Sequence, residues 1–88
     1  MKFYINPSIE LLKLDNEEEV AFDPASGDTH FLDSVASDIL RILQEAKNID
    51  ELASSLASEY DADSNEIKSD ISPFLAELAE KGIIKTEL

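Results

Sequence analysis

From residue 33 onward the apolar residues of this chain recur at helical spacing three times in succession, each stripe bracketed by its own start and stop signals. Three amphipathic segments must bury their stripes against one another or against a further layer, so this feature constrains the fold more than any other. The first stripe opens at Asp33 or Ser34, either of which can cap a helix, and runs through Val35, Ala36, Ile39, Leu40 and Leu43 to Lys47 and Asn48. Asn48, with Glu51 three residues on, is a capping box for the second, whose face is Leu52, Ala53, Leu56, Ala57 and Tyr60. Beyond Asp61-Ala62-Asp63-Ser64, Asp63 and Glu66 repeat the cap-plus-three spacing, and Ile67, Ile71, Phe74, Leu75 and Leu78 form the third. Gly82 after Lys81 is a natural stop. Ile83-Ile84-Lys85 is an apolar tail expected to fold back on the core. Pro73 falls inside the third stripe, where it removes an N–H and clashes with the preceding turn. The stripe keeps its phase through Pro73, so the expectation is one continuous, kinked helix rather than a restart at Ser72.

The first 32 residues have a different texture. Ile9-Glu10-Leu11-Leu12-Lys13-Leu14 is short and apolar, Val20-Ala21-Phe22-Asp23 alternates, and Thr29-His30-Phe31-Leu32 follows a loop, Pro24-Ala25-Ser26-Gly27-Asp28, with hairpin chemistry. The acidic stretch Asp15-Asn16-Glu17-Glu18-Glu19 cannot be buried together and reads as a solvated connection. The expectation is therefore a single α+β domain over residues 1–88. It is winged helix-turn-helix-like, with an N-terminal three-stranded antiparallel sheet, three helices and the tail as a degenerate wing.

Charge narrows the function. Twenty acids against seven bases leave a net charge of −13, and no two of the bases are adjacent. That excludes the cationic face a nucleic-acid binder needs and disfavours anionic membranes. Seven acids and two bases lie in the first 32 residues and the rest beyond, so the acidity belongs to the whole fold rather than to a tail. It steers in partners of basic character. A chain of 88 residues buries only about 60–65% of its unfolded surface, too little for a deep catalytic cavity. The absence of cysteine removes disulfides, thiolate nucleophiles and Cys-type metal sites, and suits a reducing compartment. No apolar run nears the roughly 18 residues of a membrane span, and Met1 to Pro7 is too short and polar for a secretory signal. The cytoplasm is the expected location.

Catalytic and metal signals are weak. Asp61-Ala62-Asp63-Ser64-Asn65 matches the opening of a calcium loop, but Glu66 stands where Gly is required and Ser72 where a bidentate Glu is required. His30 is the only histidine, with Asp28 on the same face of an extended strand. An exposed strand residue or a contact to a bound partner explains it better than catalysis. No serine lies in a Gly-x-Ser-x-Gly elbow, and no phosphate loop or zinc spacing occurs. The chain is expected to be no enzyme and to hold no metal or cofactor.

The stretch Ile49-Asp50-Glu51-Leu52-Ala53 to Glu59-Tyr60-Asp61, then Ile67, Asp70-Ile71, Phe74-Leu75, Leu78 and Gly82-Ile83-Ile84, resembles the PqqD family. So does Gly27-Asp28-Thr29-His30-Phe31-Leu32 running straight into a helix; its Thr-His resembles the PqqD-type proteins encoded with an HPr-kinase-related protein. The resemblance spans residues 9–86. It implies a peptide chaperone, or RiPP recognition element, that binds the leader of a ribosomally made precursor and presents it to a modifying enzyme. In PqqD itself that is a radical-SAM enzyme of pyrroloquinoline quinone synthesis. The leader is implied to add as a strand at Thr29, His30, Phe31 and Leu32, against Ile67, Asp70, Ile71, Phe74, Leu75 and Leu78 of the third helix. An edge strand supplies unpaired N–H and C=O groups for such an addition. Pro73 departs from what the resemblance implies for that helix, and the acidic surface points to a basic peptide. Two other readings compete: a DNA-binding winged helix, disfavoured because Ser64 to Lys81 carries a net charge of −2, and a homodimer formed through the same edge strand.

Overall fold

The computed structural model describes residues 1–16 and 18–88; Glu17, in the acidic connection, lies outside the described residues. The elements run β1 (Lys2–Ile5), β2 (Glu10–Lys13), β3 (Glu19–Asp23), β4 (Asp28–Leu32), α1 (Ser34–Ile42), α2 (Ile49–Tyr60), α3 (Ser64–Glu80) and β5 (Ile84–Glu87). The architecture is α+β, as the sequence predicts. Strands β2, β3 and β4 form an antiparallel sheet in that order, with register Leu11↔Ala21 and Ala21↔His30 at its middle. Gly27, at φ 79, supplies the left-handed turn residue of the β3–β4 hairpin.

Two features depart from the sequence reading, and they share one cause. Residues 2–5, to which the pattern assigns no element, form β1, and the apolar tail, which folds back on the core as expected, does so as strand β5. These two pair antiparallel, with Ile5 opposite Ile84 and Lys2 opposite Glu87. The other side of β1 reaches the segment after α1: Ile5 N donates to Leu43 O (3.0 Å), and Phe3 and Lys47 exchange backbone bonds of 2.7 and 2.9 Å. Those bonds end α1 at Ile42, five residues short of the expected Lys47, because β1 takes backbone groups a longer helix would use. A four-residue strand whose partner lies some eighty residues away leaves no local signal.

The chain is stapled where its ends meet. Asn6 Nδ2 donates to Gly82 O (2.9 Å), and the Asn6 amide donates to Ile83 O (2.9 Å). Gly82 sits at φ 77 in a Schellman turn, Gly82 N to Ala79 O and Ile83 N to Leu78 O (both 3.0 Å), which closes the C-terminus of α3. At the N-terminus of α2 the expected capping box is complete: Glu51 N donates to Asn48 Oδ1 (2.8 Å) and Asn48 N to Glu51 Oε1 (3.0 Å). Asp63 caps α3 by accepting from Asn65 N instead (2.7 Å). Helix α3 runs unbroken through Pro73, whose ring is exposed. The carbonyl it orphans, on exposed Ser69, therefore meets water.

The core is aliphatic. Ile39, Leu40, Leu43, Leu52, Leu56, Leu75, Ile83 and Ile84 are fully buried, with Ala21 against them from the sheet. Val35 and Tyr60 leave the predicted stripes and are exposed. Tyr60 joins a surface network instead: its hydroxyl donates to Asp38, while Arg41 bonds Glu59 (2.7 Å) and Asp38 (3.5 Å), tying α1 to α2.

A Cβ at Gly82 would meet nothing within 4 Å, so Gly82→Ala tests the left-handed backbone alone. It should lower stability by about 1–2 kcal/mol in urea unfolding, with no change in the slope. The hydrogen bond to Asp38, then burial, pushes the Tyr60 pKa from 10.0 up to about 12. The folded chain thus holds this proton more tightly than the unfolded chain. The contribution is full below pH 10 and is lost as the pH rises toward about 12. Tyr60→Phe should flatten that part of the alkaline limb in pH-dependent unfolding.

Candidate functional site

Strand β4 is an edge of the three-stranded sheet, so half of its backbone groups face away from β3. It runs without a loop into α1. Asp33 is the only residue between them, and its side chain accepts from Ala36 N (2.8 Å) to cap the helix. Helix α3 passes on the far side. Between them lies a cleft of about 90 Å³ lined by His30, Phe31, Leu32, Asp33, Ala36, Phe74, Leu78, Lys81 and Ile83.

Each wall follows from local pattern. Alternation along β4 turns His30 and Leu32 toward the face shared with Ala21, and Phe31 to the opposite face, where it is 73% exposed. On α3, Phe74, Leu78 and Lys81 stand four and three residues apart and so share one side of the helix. Lys81 Nζ is held 3.1 Å from Glu77. Ala36 and Ile83 come from α1 and from the turn that the Asn6 staple secures.

The structure therefore brings to the cleft five of the ten residues singled out from the sequence: His30, Leu32, Phe74 and Leu78, and Phe31, whose side chain turns to the opposite face of the sheet. Thr29 lies just before them on β4, exposed, opposite Phe22. Asp70 is exposed on α3 one turn before Phe74, and Ile67 packs half-buried against the core. Ile71 and Leu75 do not line the cleft. They are buried in the core, at 4% and 2% exposure, and support the cleft from beneath. Both fall on the inward side of α3, toward α2. Asp33, Ala36, Lys81 and Ile83 were not singled out as site residues. The seven-residue step Ile67, Phe74, Lys81 along one seam of α3 was the available signal for Lys81. Asp33 and Ile83 are recognised only as cap and tail. Among the described residues no group of three His, Cys, Asp or Glu side chains could hold a metal ion, and no helix is long and apolar enough to cross a membrane.

The family model for coenzyme PQQ synthesis protein D (PqqD) matches residues 18–84, which include both walls of the cleft. This chain belongs to the PqqD family. Three solved structures share its fold over nearly its full length. One is the solution structure of the PqqD truncation of Methylobacterium extorquens PqqCD, a functional, stand-alone RiPP recognition element (27% identity, TM-score 0.78, 97% of this chain and 89% of that one). The second is TbiB1 in complex with the TbiA(beta) leader peptide (27%, 0.80, 97% and 98%). The third is lasso peptide synthetase B1 complexed with the leader peptide (26%, 0.78, 98% and 100%). No curated protein matches the sequence.

A PqqD-family edge strand open to a ligand has a signature in the free protein. Amides of Thr29 to Leu32 should alternate between slow and fast hydrogen exchange, those bonded to β3 being the slow ones. Uniform protection along β4 in an NMR exchange series would show that its outer edge is already covered.

Proposed function

We propose that this chain is a non-catalytic adaptor that binds an extended precursor or leader peptide and presents it to a peptide-modifying enzyme. The peptide adds alongside β4 as a fourth strand, and its inward side chains enter the cleft against Phe74 and Leu78. The observation that carries this reading is the juxtaposition of an open edge strand with a cleft of mixed lining, where Leu32, Ala36, Phe74, Leu78 and Ile83 stand beside His30, Asp33 and Lys81. Backbone groups then supply affinity and the cleft supplies specificity. The leader-peptide complexes of TbiB1 and lasso peptide synthetase B1, each matched over 97% or more of this chain, support it.

The charge suggests the peptide. Asp28, Asp33 and Asp70 flank β4 and the outer side of α3, within a chain of net charge −13. A peptide with Lys or Arg beside its apolar anchors suits that setting. The enzyme partner is of the radical-SAM or HPr-kinase-related type that the resemblance implies. The lack of cysteine suits work in the cytoplasm.

A random display library of extended peptides panned on the protein, with the best binder synthesised for anisotropy titration, tests the reading. Phe74→Ala should weaken binding roughly tenfold, about 1.4 kcal/mol. Raising salt from about 50 to about 500 mM should weaken it further. N-methylation of alternate peptide amides should abolish binding in one phase and spare it in the other. Equal tolerance of both phases would rule out strand addition.

A further inference from the structure

The three-stranded sheet has a second face, turned away from the helices. Its register puts Leu12, Val20 and Phe31 in one row across that face, with Glu10, Phe22 and Thr29 in the next. Leu12 is 45% exposed and Phe31 73%, yet Val20 between them is only 3% exposed. Val20 stands outside the core cluster that the helices cover. Its neighbours on the outer face therefore shield it, and they are themselves left facing solvent. Leu14, also exposed, extends the stripe past the end of β2. Clustered apolar side chains of this size on a soluble domain mark a docking surface more often than a decoration.

We propose that this outer face docks the peptide-modifying enzyme, through a patch that is apolar at its centre and rimmed by Lys and Arg. The proposal rests on the peptide-adaptor reading. Charge selects the occupant. The patch is bordered by the exposed acids Glu10, Asp15 and Glu18, so a basic rim is complementary. A second copy would bring the same acids and a further −13 against them, and an anionic bilayer is repelled in the same way. Continuity makes the same selection. A peptide strand added at β4 extends this sheet by one strand. Its alternate side chains then emerge beside Phe31 on the outer face, while the others enter the cleft. A partner seated here touches the adaptor and the outward residues of the peptide together, and the helix side offers no such view of the peptide.

The test places a photo-crosslinking benzophenone amino acid at position 12, and separately at exposed Ser58 on α2, in the source cells. The position-12 adduct is identified by mass spectrometry, and that protein is purified and titrated with the full chain. A partner captured at position 12 and not at 58 is expected. Leu12→Glu should weaken its binding at least roughly tenfold, as for a residue central to an interface, and raised salt should weaken it too. Leu14→Glu, at the margin, provides a second variant should Leu12→Glu unfold. Capture of a second copy, the same adducts from both positions, no adduct at all, or unchanged affinity in a folded variant would each overturn the proposal. Titrating the same variants with the display-selected peptide keeps the two readings apart. Retained peptide binding with lost partner binding isolates the outer face, whereas a wild type that binds no peptide removes the adaptor reading itself.

Discussion

The architecture depends on a few hydrogen bonds between Asn6 and the turn at Gly82 and Ile83. They set β1 against β5, and β1 in turn takes Leu43 O and both backbone groups of Lys47. One short strand thus fixes where α1 stops, and Asn6 just after it secures the turn that ends α3. Those two helices, with Ile83, supply the floor and far wall of the cleft. The cleft is held by a strand that contributes no residue to it.

Legibility in the sequence followed the range of the forces involved. Caps and stripes act within a turn or two, so Asn48 with Glu51, the face of Leu52 and Leu56, and the stop at Gly82 are readable one segment at a time. Strand β1 is not, because the evidence for it lies in Ile84 to Glu87 at the other end of the chain. The premature end of α1 is the same fact seen locally. The resemblance points to β4 and α3, both of which line the cleft, while periodicity does not give the depth of each residue. Phe74 and Ile71 both follow the apolar stripe, and only packing against α2 sends Ile71 inward. The row of Leu12, Val20 and Phe31 required register, which no single strand contains.

The acidity has a structural meaning once placed on the fold. Among the described residues the core holds no charged or polar side chain, so carboxylates occupy the surface around the cleft and the outer sheet face. A net charge of −13 disfavours association between copies without closing either feature to a ligand of opposite charge. For a domain with an edge strand at β4 and an exposed Phe31, this charge opposes the aggregation that such edges invite.

The pairing of Lys2 with Glu87 also sets an order of events during synthesis. β1 leaves the ribosome some eighty residues before its partner β5. Until residues 82–87 emerge, Ile5 and Phe3 can satisfy only the bonds to Leu43 and Lys47, and Asn6 lacks its partners at Gly82 and Ile83. The helices and the β2–β3–β4 meander can assemble as they appear, but the cleft takes its final shape in a closing step that joins the two ends. Such long-range closure is slow relative to local helix formation, so the cleft takes its shape only after the elements that line it have formed.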